Sequence, residues 1–331
     1  MIWSLESKPG IVISTRIRLA RNLDKIPFPS RLKDKDAVVK KVKDAIFKSN
    51  STLAVDFEDL ELSKLSTTER MKLCERHLIS PQLLKNNDGD CLVNKDKTMS
   101  LMIMEEDHIR QQVIKGGYCP EEAYELCSKL DDVLSESLDF AFDEKIGYLT
   151  SCPTNAGTGL RVSVMLHLPA LYLTGKLNRI SASAANVGIA VRGYNGEGTD
   201  ADGCFYQISN QITMGATEEE IIERVKNVTD QIVSFEEKAR AELLEKSRPA
   251  IEDKVWRSYG ILKYARTLTS KEALSLLSDV LFGVNMGIIT DKINMPIMEL
   301  IVSAQPAAIG GLEISPEERD IKRADFLREH L

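Results

Sequence analysis

The sequence predicts an α+β domain followed by a helical one, and three observations carry that expectation. Up to about residue 216, strand-like runs alternate with amphipathic helical runs across turns rich in Gly, Asn, Asp and Pro. From about residue 217 the periodicity becomes almost continuously helical. The 331 residues, 43% hydrophobic and 28% charged, suffice for one large domain with a core of its own plus a smaller one. The division is placed near residue 240, giving 1–240 and 241–331, with no internal repeat and no low-complexity linker.

The segment IVISTRIRLARN (11–22) opens with a β-branched apolar run and continues with Arg16, Ile17, Arg18 and Leu19 in alternation. That is strand periodicity with both arginines on one face. DAVVKKVKDAIFKS (36–49) reads as an amphipathic helix. After the turn cluster KNNDGD (85–90), MSLMIM (99–104) reads as a buried strand that delivers EEDHIR (105–110) at its end. CPEEAYELCSKLDDVLSESLDFAF (119–142) carries Pro120 and two acids at its start, which suits a long helix with its apolar stripe turned inward.

GYLTSCPTNAGTGLRVSVMLHLPAL (147–171) is expected to pass from strand through a Pro/Asn/Gly loop into a helix. NVGIAVRGYN (186–195) and CFYQISNQI (204–212) read as two strands around the loop GEGTDADG (196–203). In the helical remainder, turns are expected at SRP (247–249), LTS (268–270), NMG (285–287) and IGG (309–311).

A formal net charge of −7 argues against broad nucleic-acid binding, which needs a basic surface, so any anion site is local. No basic segment leads into a long apolar stretch, and no apolar run approaches the roughly 20 residues of a membrane span. A cytoplasmic protein is expected. The six cysteines, at 74, 91, 119, 127, 152 and 204, show neither Cys-x-x-Cys pairs nor histidines at ligand spacing. Neither a zinc site nor a disulfide framework is indicated, and most thiols are expected reduced and buried.

Taken singly, the polar clusters have plain readings. Glu105, Glu106 and Asp107 form a charge run of the kind that usually covers a solvated face, although strand ends commonly present site residues. Glu197 sits between Gly196 and Gly198, which suits a hairpin tip or a close approach to a ligand. Residues 196–201 also match G-x-G-x-x-A, but the strand pattern that follows stands where a dinucleotide site requires a helix. No P-loop pattern occurs, so arginines would have to bind any phosphate. Arg16, Arg18, Arg110, Arg161 and Arg192 each lie beside a strand end or a Gly-rich turn. One alone reads as a surface ion pair; together they suit phosphate, whose oxygens match guanidinium forks. Cys152 reads as a small buried hydrophobe, or as a thiol activated by nearby arginines. His77 and His167 sit in apolar company, where a satisfied core histidine is the default.

Together and in this order, STRIRLARN, EEDHIR, CPTNAGTGLRVSV and RGYNGEG resemble the phosphagen (guanidino) kinases over about residues 11–240. The resemblance implies a phosphagen-kinase-like α+β catalytic domain, an antiparallel sheet flanked by helices, followed by a helical C-terminal domain. It implies that Arg16, Arg18, Arg110, Arg161 and Arg192 clamp the phosphates of ATP, with Mg²⁺ carried by the nucleotide and not by the protein. Nucleotide contacts are implied along Ser14, Thr15, Arg16, Ile17 and Arg18, along Arg161, Val162, Ser163, Val164 and Met165, and along Arg192, Gly193, Tyr194, Asn195 and Gly196. His77, in RHLIS, is similar to a nucleotide-contacting histidine of the bacterial branch. Glu106 and Glu197 are implied to hold the guanidinium of the acceptor, with Cys152 nearby. The chemistry is coherent: a guanidinium has a pKa above ~12 and is a poor nucleophile, and two carboxylates can fix it and accept its proton. Phosphoryl transfer itself rests on positioning and on cations around the transferring oxygens.

Small-molecule phosphagen kinases carry a helical domain of roughly a hundred residues, a single-domain size, ahead of the STR-R motif. Here the motif starts at Ser14, and a helical region of about 90 residues follows the kinase part instead. Both differences resemble the bacterial protein-arginine kinases. RDIKRA (319–324) matches the RDxxRA motif of that branch, implying an allosteric phosphoarginine pocket at Arg319, Asp320, Arg323 and Ala324. Without the resemblance, the stretch reads as a helix capped by Ser315, with Pro316 first and Glu318 closing a capping box, its charges solvated. One position departs from the pattern: Met104 stands where the family usually has Asn before EEDH.

The resemblance therefore implies an ATP-dependent kinase of arginine side chains in proteins, marking them for a Clp-type unfoldase and protease. It also implies an activator protein with zinc-binding motifs and a homodimer joined through the C-terminal helices. The alternatives are a kinase for a small guanidino compound such as free arginine, and a non-catalytic adaptor that binds phosphoarginine through RDIKRA. Glu197→Ala is expected to abolish transfer while leaving nucleotide binding largely intact. Phosphotransfer at the wild-type rate in that variant would remove Glu197 from the mechanism.

Overall fold

In the computed structural model, residues 2–6, 10–86, 88–194 and 202–331 are described. A short helix α1 (Ile2–Glu6) precedes β1 (Val12–Arg21), which is followed by α2 (Lys35–Phe47) and the edge strand β2 (Phe57–Asp59). Helices α3 (Thr67–Glu75) and α4 (Pro81–Lys85) lead to β3 (Asp90–Asn94), β4 (Met99–Ile103) and β5 (Ile109–Gly116). Then come α5 (Pro120–Ser135), the small hairpin β6 (Phe142–Asp143) and β7 (Gly147–Tyr148), and β8 (Leu160–His167). Helices α6 (Pro169–Leu173) and α7 (Leu177–Ala185) precede β9 (Ile189–Gly193) and β10 (Phe205–Asn210). The chain ends in α8 (Glu218–Tyr264), α9 (Ser270–Asn285), α10 (Ile297–Ser303), α11 (Pro306–Ile309) and α12 (Pro316–His330).

Eight strands form one antiparallel sheet in the order β2-β3-β4-β5-β1-β8-β10-β9. Strand β1 is central, as its alternation requires. Ile13, Ile17 and Leu19 are buried on one face, where α5 packs against β1 and β5, and Arg16 and Arg18 project from the other. The register sets Arg16 opposite Ile114 and Ser163, and Arg18 opposite Gln112 and Arg161. The sheet thus has an apolar face and an arginine face.

Three expectations are corrected. Residues 160–167 are a central strand, and helix begins only at Pro169. Val162, Val164 and Leu166 alternate with Arg161, Ser163 and Met165 at period two, but both faces of β8 are covered, so the polarity contrast that marks a strand is weak. The long helix α5 stops at Ser135, and the residues expected to extend it enter the β6–β7 hairpin. At SRP the expected turn is a kink that joins two helical segments of α8. α8 runs through Pro249 with only Ser247 out of helical conformation, at φ −142° and ψ 23°. Pro249 cannot donate and crowds the carbonyl four residues back, so the helix kinks and resumes.

The C-terminal helices share one continuous core with the sheet, from Trp3 to Leu331. A second cluster (Leu62, Leu78, Ile79, Leu83, Cys91, Val93 and Met102) fills the space under the outer strands. His167 is a core histidine, stacked on Phe205 and hydrogen-bonded through Nε2 to Ser278 of α9. Beside it Glu236 of α8, fully buried, accepts from the Ala170 and Leu171 amides at 3.1 and 2.9 Å and from Arg240 Nε at 2.8 Å. Arg240 in turn donates to the His167 carbonyl at 3.2 Å. Breaking a buried pair leaves an uncompensated charge, so Glu236→Ala is expected to destabilise the fold by about 3–5 kcal/mol and Glu236→Gln by less. Denaturant unfolding checks this, and an Ala variant as stable as the wild type would show that the pair does not anchor α8.

Candidate active site

The arginine face forms the floor of a cavity of about 350 Å³ into which Arg16, Arg18 and Arg110 project. Arg161 lies beside them, opposite Arg18, and Arg192 of β9, two strands over in the row of Gln207 and Met165, is near enough for its charge to act on Arg161. Two of these guanidiniums are held by neutral groups: Arg16 Nη2 donates to Gln207 Oε1 at 2.8 Å and Arg161 Nη2 to Ser209 Oγ at 3.1 Å. The Nε atoms of Arg18 and Arg161 are buried without a hydrogen-bond partner. Burial, followed by repulsion from Arg110 and Arg161, lowers the pKa of Arg16 to about 10. Burial, followed by repulsion from Arg192 and Arg110, brings Arg161 to about 10, and burial with three arginine neighbours carries Arg18 well below its ordinary value. A cationic cluster with orphaned donors is built for an anion with several oxygens.

Of the residues expected along these strands, Ser14, Ser163 and Met165 line the cavity. Ile17, Val162 and Val164 are fully buried in the core on the opposite face, because strand side chains alternate. Thr15 likewise turns away, donating to the Gly117 carbonyl and accepting from the Cys119 amide. Gly193 ends β9 and Tyr194 lines the cavity. Asn195, Gly196 and Glu197 lie outside the described residues.

His77 follows α3 with φ at 60°, its carbonyl held by Gln112 Nε2 at 2.6 Å. Its ring lies 6.0 Å from that of Trp3 and 5.7 Å from that of Tyr194, centre to centre. Nε2 is buried and unpartnered; burial and the positive charges of Arg16 and Arg18 push its pKa down to about 3, so the ring is neutral. It lines the cavity and is not a satisfied core histidine.

The EEDH turn divides its labour. Glu105, with a side chain 1% exposed, pairs with Arg110 Nη1 at 2.6 and 2.7 Å and accepts from the Ser80 hydroxyl. Burial pushes its carboxyl up, but Arg110 and Ser80 outweigh that and hold it below the ordinary range. Asp107 Oδ1 accepts from Asn22 Nδ2 at 2.7 Å and from the Ser151 amide at 2.6 Å. Asn22 also accepts from the His108 amide at 2.9 Å and donates to the Leu149 carbonyl at 3.0 Å. His108 Nδ1 accepts from the Leu23 amide, so Nε2 carries the proton and donates to the Pro27 carbonyl. Only Glu106 is half-exposed, and its carboxyl is raised by burial and then by Asp107 and Glu105.

The Asn22–Asp107–Ser151 bridge fixes the Glu106 turn against the loop that carries Cys152. That thiol is half-buried, 3.0 Å from Thr154 Oγ1, and near enough to Arg161 for their charges to interact. The sequence showed Glu105 and Asp107 only as part of a charge run at a strand end and Asn22 only as the close of STRIRLARN, without the hydrogen-bond partners that join them. Met104 adopts φ 59°, a left-handed conformation that Asn tolerates better than Met. Its carbonyl accepts from Asn86 Nδ2 at 2.7 Å and its amide donates to the His108 carbonyl at 2.9 Å. The turn is thus held by its backbone.

At the C-terminus the capping box of Ser315 and Glu318 forms with Pro316 in the first turn. The plain reading of solvated charges is corrected for Arg323, which is 1% exposed. It donates to the carbonyls of Ala304 and Leu268, each at 2.7 Å, and to Asp320 Oδ1 at 2.6 Å. Arg319 donates to the carbonyls of Gly311 and Ile314, and Ala324 is buried.

Asp107→Asn removes a like charge beside Glu106 while Oδ1 still accepts from Asn22 and Ser151. The Glu106 carboxyl is therefore expected to titrate at lower pH than in the wild type. Carbon-13 NMR titration, assigned with Glu106→Gln, measures it, and an unchanged midpoint would remove Asp107 as a cause.

The sequence matches the ATP:guanido phosphotransferase C-terminal catalytic domain over residues 37–239 and the protein-arginine kinase McsB C-terminal domain over residues 248–331. It is 46% identical to the protein-arginine kinase of Caldanaerobacter subterraneus subsp. tengcongensis, over 99% of this chain and 98% of that one. It is 49% identical to the protein-arginine kinase of Halothermothrix orenii, over 97% and 93%. Among solved structures, lombricine kinase superposes with a TM-score of 0.62 at 22% identity, covering 72% of this chain and 71% of that one, a likeness of fold. The duplicated taurocyamine kinase from Schistosoma mansoni, solved with bound transition state analog components, gives 0.59 at 28% identity, over 68% of this chain and 33% of that one. Relatives that match along the whole chain, and a sheet shared with guanidino kinases, establish that this protein belongs to the protein-arginine kinase family of ATP:guanido phosphotransferases.

Proposed function

We propose that this protein transfers the γ-phosphoryl group of MgATP to arginine side chains of proteins. The observation that carries the reading is the juxtaposition, within one short turn, of the half-buried Glu106 carboxylate and Arg110, which belongs to an arginine cluster short of counter-anions. Guanidinium donors of Arg16, Arg18, Arg110, Arg161 and Arg192 bind phosphate oxygens, and the Mg²⁺ of the nucleotide neutralises further charge. Glu105 keeps the Arg110 fork oriented. Glu106, with Glu197, fixes the acceptor guanidinium in line with the γ-phosphorus. As the new N–P bond forms and the bond to the β–γ bridging oxygen breaks, the proton leaving nitrogen passes to one of these carboxylates. A carboxyl raised by burial, as Glu106 is, is a better base for that step.

The division of labour we propose sets residues 1–240 as catalytic and 241–331 as a helical region that recognises phosphoarginine through Arg319, Asp320, Arg323 and Ala324. Two arginines on one turn, engaged with carbonyls and Asp320, supply the donors that such a ligand would compete for. A homodimer through the C-terminal helices is favoured by Trp256, Ile261 and Tyr264, exposed large side chains one to two turns apart on α8, with Tyr264 76% exposed. A cytoplasmic setting, an activator with zinc-binding motifs and a Clp-type unfoldase and protease downstream rest on family resemblance. Among the described residues, no helix is long and apolar enough to cross a membrane.

The test is incubation with MgATP and a denatured arginine-rich protein, read by mass spectrometry at neutral pH, which preserves the acid-labile P–N bond. Phosphoarginine on protein is expected, reduced at least about a hundredfold in Glu106→Gln. Phosphate on free arginine with none on protein would overturn the protein-kinase reading.

A further inference from the structure

The cavity does not end at its arginines. On the central strands successive rows run from Arg18 beside Gln112, through Arg16 beside Ile114, to Ser14 beside Met165, a row that reaches a cation again only at Arg192 of β9, beyond Gln207. The same cavity is lined by Trp3, His77 and Tyr194 and, from the C-terminal helices, by Met298 of α10 and Gln305 at the cap of α11. Three contacts fasten that wall. Glu75 accepts from the Ala307 and Ala308 amides at 2.8 and 3.1 Å, Ser4 donates to Glu299, and Arg323 holds the Ala304 carbonyl.

Gln305 is oriented by the preceding helix, α10. Its Nε2 donates to the Ile301 carbonyl at 3.1 Å, which only the amide nitrogen can do, so Oε1 is left as an acceptor. Across the same cavity the neutral His77 ring has a buried Nε2 without a partner. Aromatic rings, methionine walls, one fixed acceptor and one histidine nitrogen match a purine that carries an exocyclic amine. A 6-oxo purine would set its carbonyl against Gln305 Oε1, acceptor facing acceptor.

We infer that Gln305, supplied by the C-terminal helices, selects the nucleobase: the 6-amino group of adenine donates to Gln305 Oε1 while the ring packs at the His77 and Tyr194 end. The inference rests on reading the arginine face as the phosphate site. It makes the helical region part of the nucleotide pocket, so a nucleotide whose phosphates lie on β1, β5 and β8 is read at its base by α10 and α11.

Calorimetric titration of the full chain with MgADP and MgIDP, which differ in the 6-amino and 6-oxo groups, tests it. The wild type is expected to bind MgADP about tenfold or more tightly than MgIDP. Gln305→Met, equal in length but without the acceptor, should bring the two affinities together, whereas Gln305→Glu, which keeps an acceptor, should retain the preference. Arg16→Ala should weaken both nucleotides alike. A wild type that does not discriminate, or a Gln305→Met variant that discriminates as well as the wild type, would overturn the base-selecting role while the Arg16→Ala loss left the phosphate reading standing. Unchanged binding of both nucleotides in Arg16→Ala would instead overturn the phosphate reading, and this inference with it. The wild-type comparison needs no variant to fold.

Discussion

Positive charge held side by side on the central strands is the constraint on which the rest depends. Arg16 and Arg18 of β1, Arg110 of β5 and Arg161 of β8 share one face of the sheet, where burial and then the charges of Arg110 and Arg161 lower Arg16, and burial and then those of Arg16, Arg110 and Arg161 lower Arg18. Paired strands cannot relax away from one another as surface loops can, so the repulsion is retained until an anion relieves it. Glu105 pairs with Arg110, but Gln207 and Ser209 orient Arg16 and Arg161 without neutralising them. Carboxylates in their place would have stabilised the resting protein and occupied its donors. Binding of a polyanion should accordingly tighten the whole fold, since the ligand favours only the folded state.

The EEDH turn solves the complementary problem of presenting one acid among several. Four adjacent polar residues would repel or compete if they faced the same way. The left-handed Met104 starts a tight turn that sends Glu105 to Arg110, Asp107 to Asn22 and Ser151, and His108 to the backbone of Leu23 and Pro27. Three of the four are consumed in holding the fourth. Glu106 is left partly exposed, with a carboxyl perturbed by the neighbours that position it.

Much of this was legible in the sequence, for physical reasons that differ by element. The alternation in β1 showed because one face is apolar and the other cationic; β8, covered on both faces, hid its period and was read as helix. The cap of α12 was readable because Ser315, Pro316 and Glu318 act within one turn. Arg16, Arg18, Arg110 and Arg161 could be named from their settings, but their shared face depends on the pairing of β1 with β5 and β8, which no local pattern contains. Long-range partners were the least visible. Asn22 and Asp107, Glu75 and α11, and Gln305 in the cavity each join residues far apart in the chain. Arg323 shows the same limit: an exposed-looking helix charge is buried because the carbonyls of Ala304 and Leu268 come to meet it.

The kink in α8 has a mechanical consequence. Before the kink Glu236 and Arg240 bond α6 and the end of β8, and after it Lys254 and Ser258 bond Asp279 of α9 while Tyr259 reaches the Leu331 carbonyl. At 1.5 Å per residue, Arg248–Tyr264 forms a lever arm of about 25 Å pivoting at Ser247. A rotation of about 10° there displaces the far end by roughly 4 Å, the scale of a side-chain contact made or lost. The pivot lies near the sheet, and the exposed Tyr264 lies at the tip. Because Ile251, Val255, Tyr259 and Leu262 are buried against the helices that follow, such a rotation carries the C-terminal helices with it as a unit.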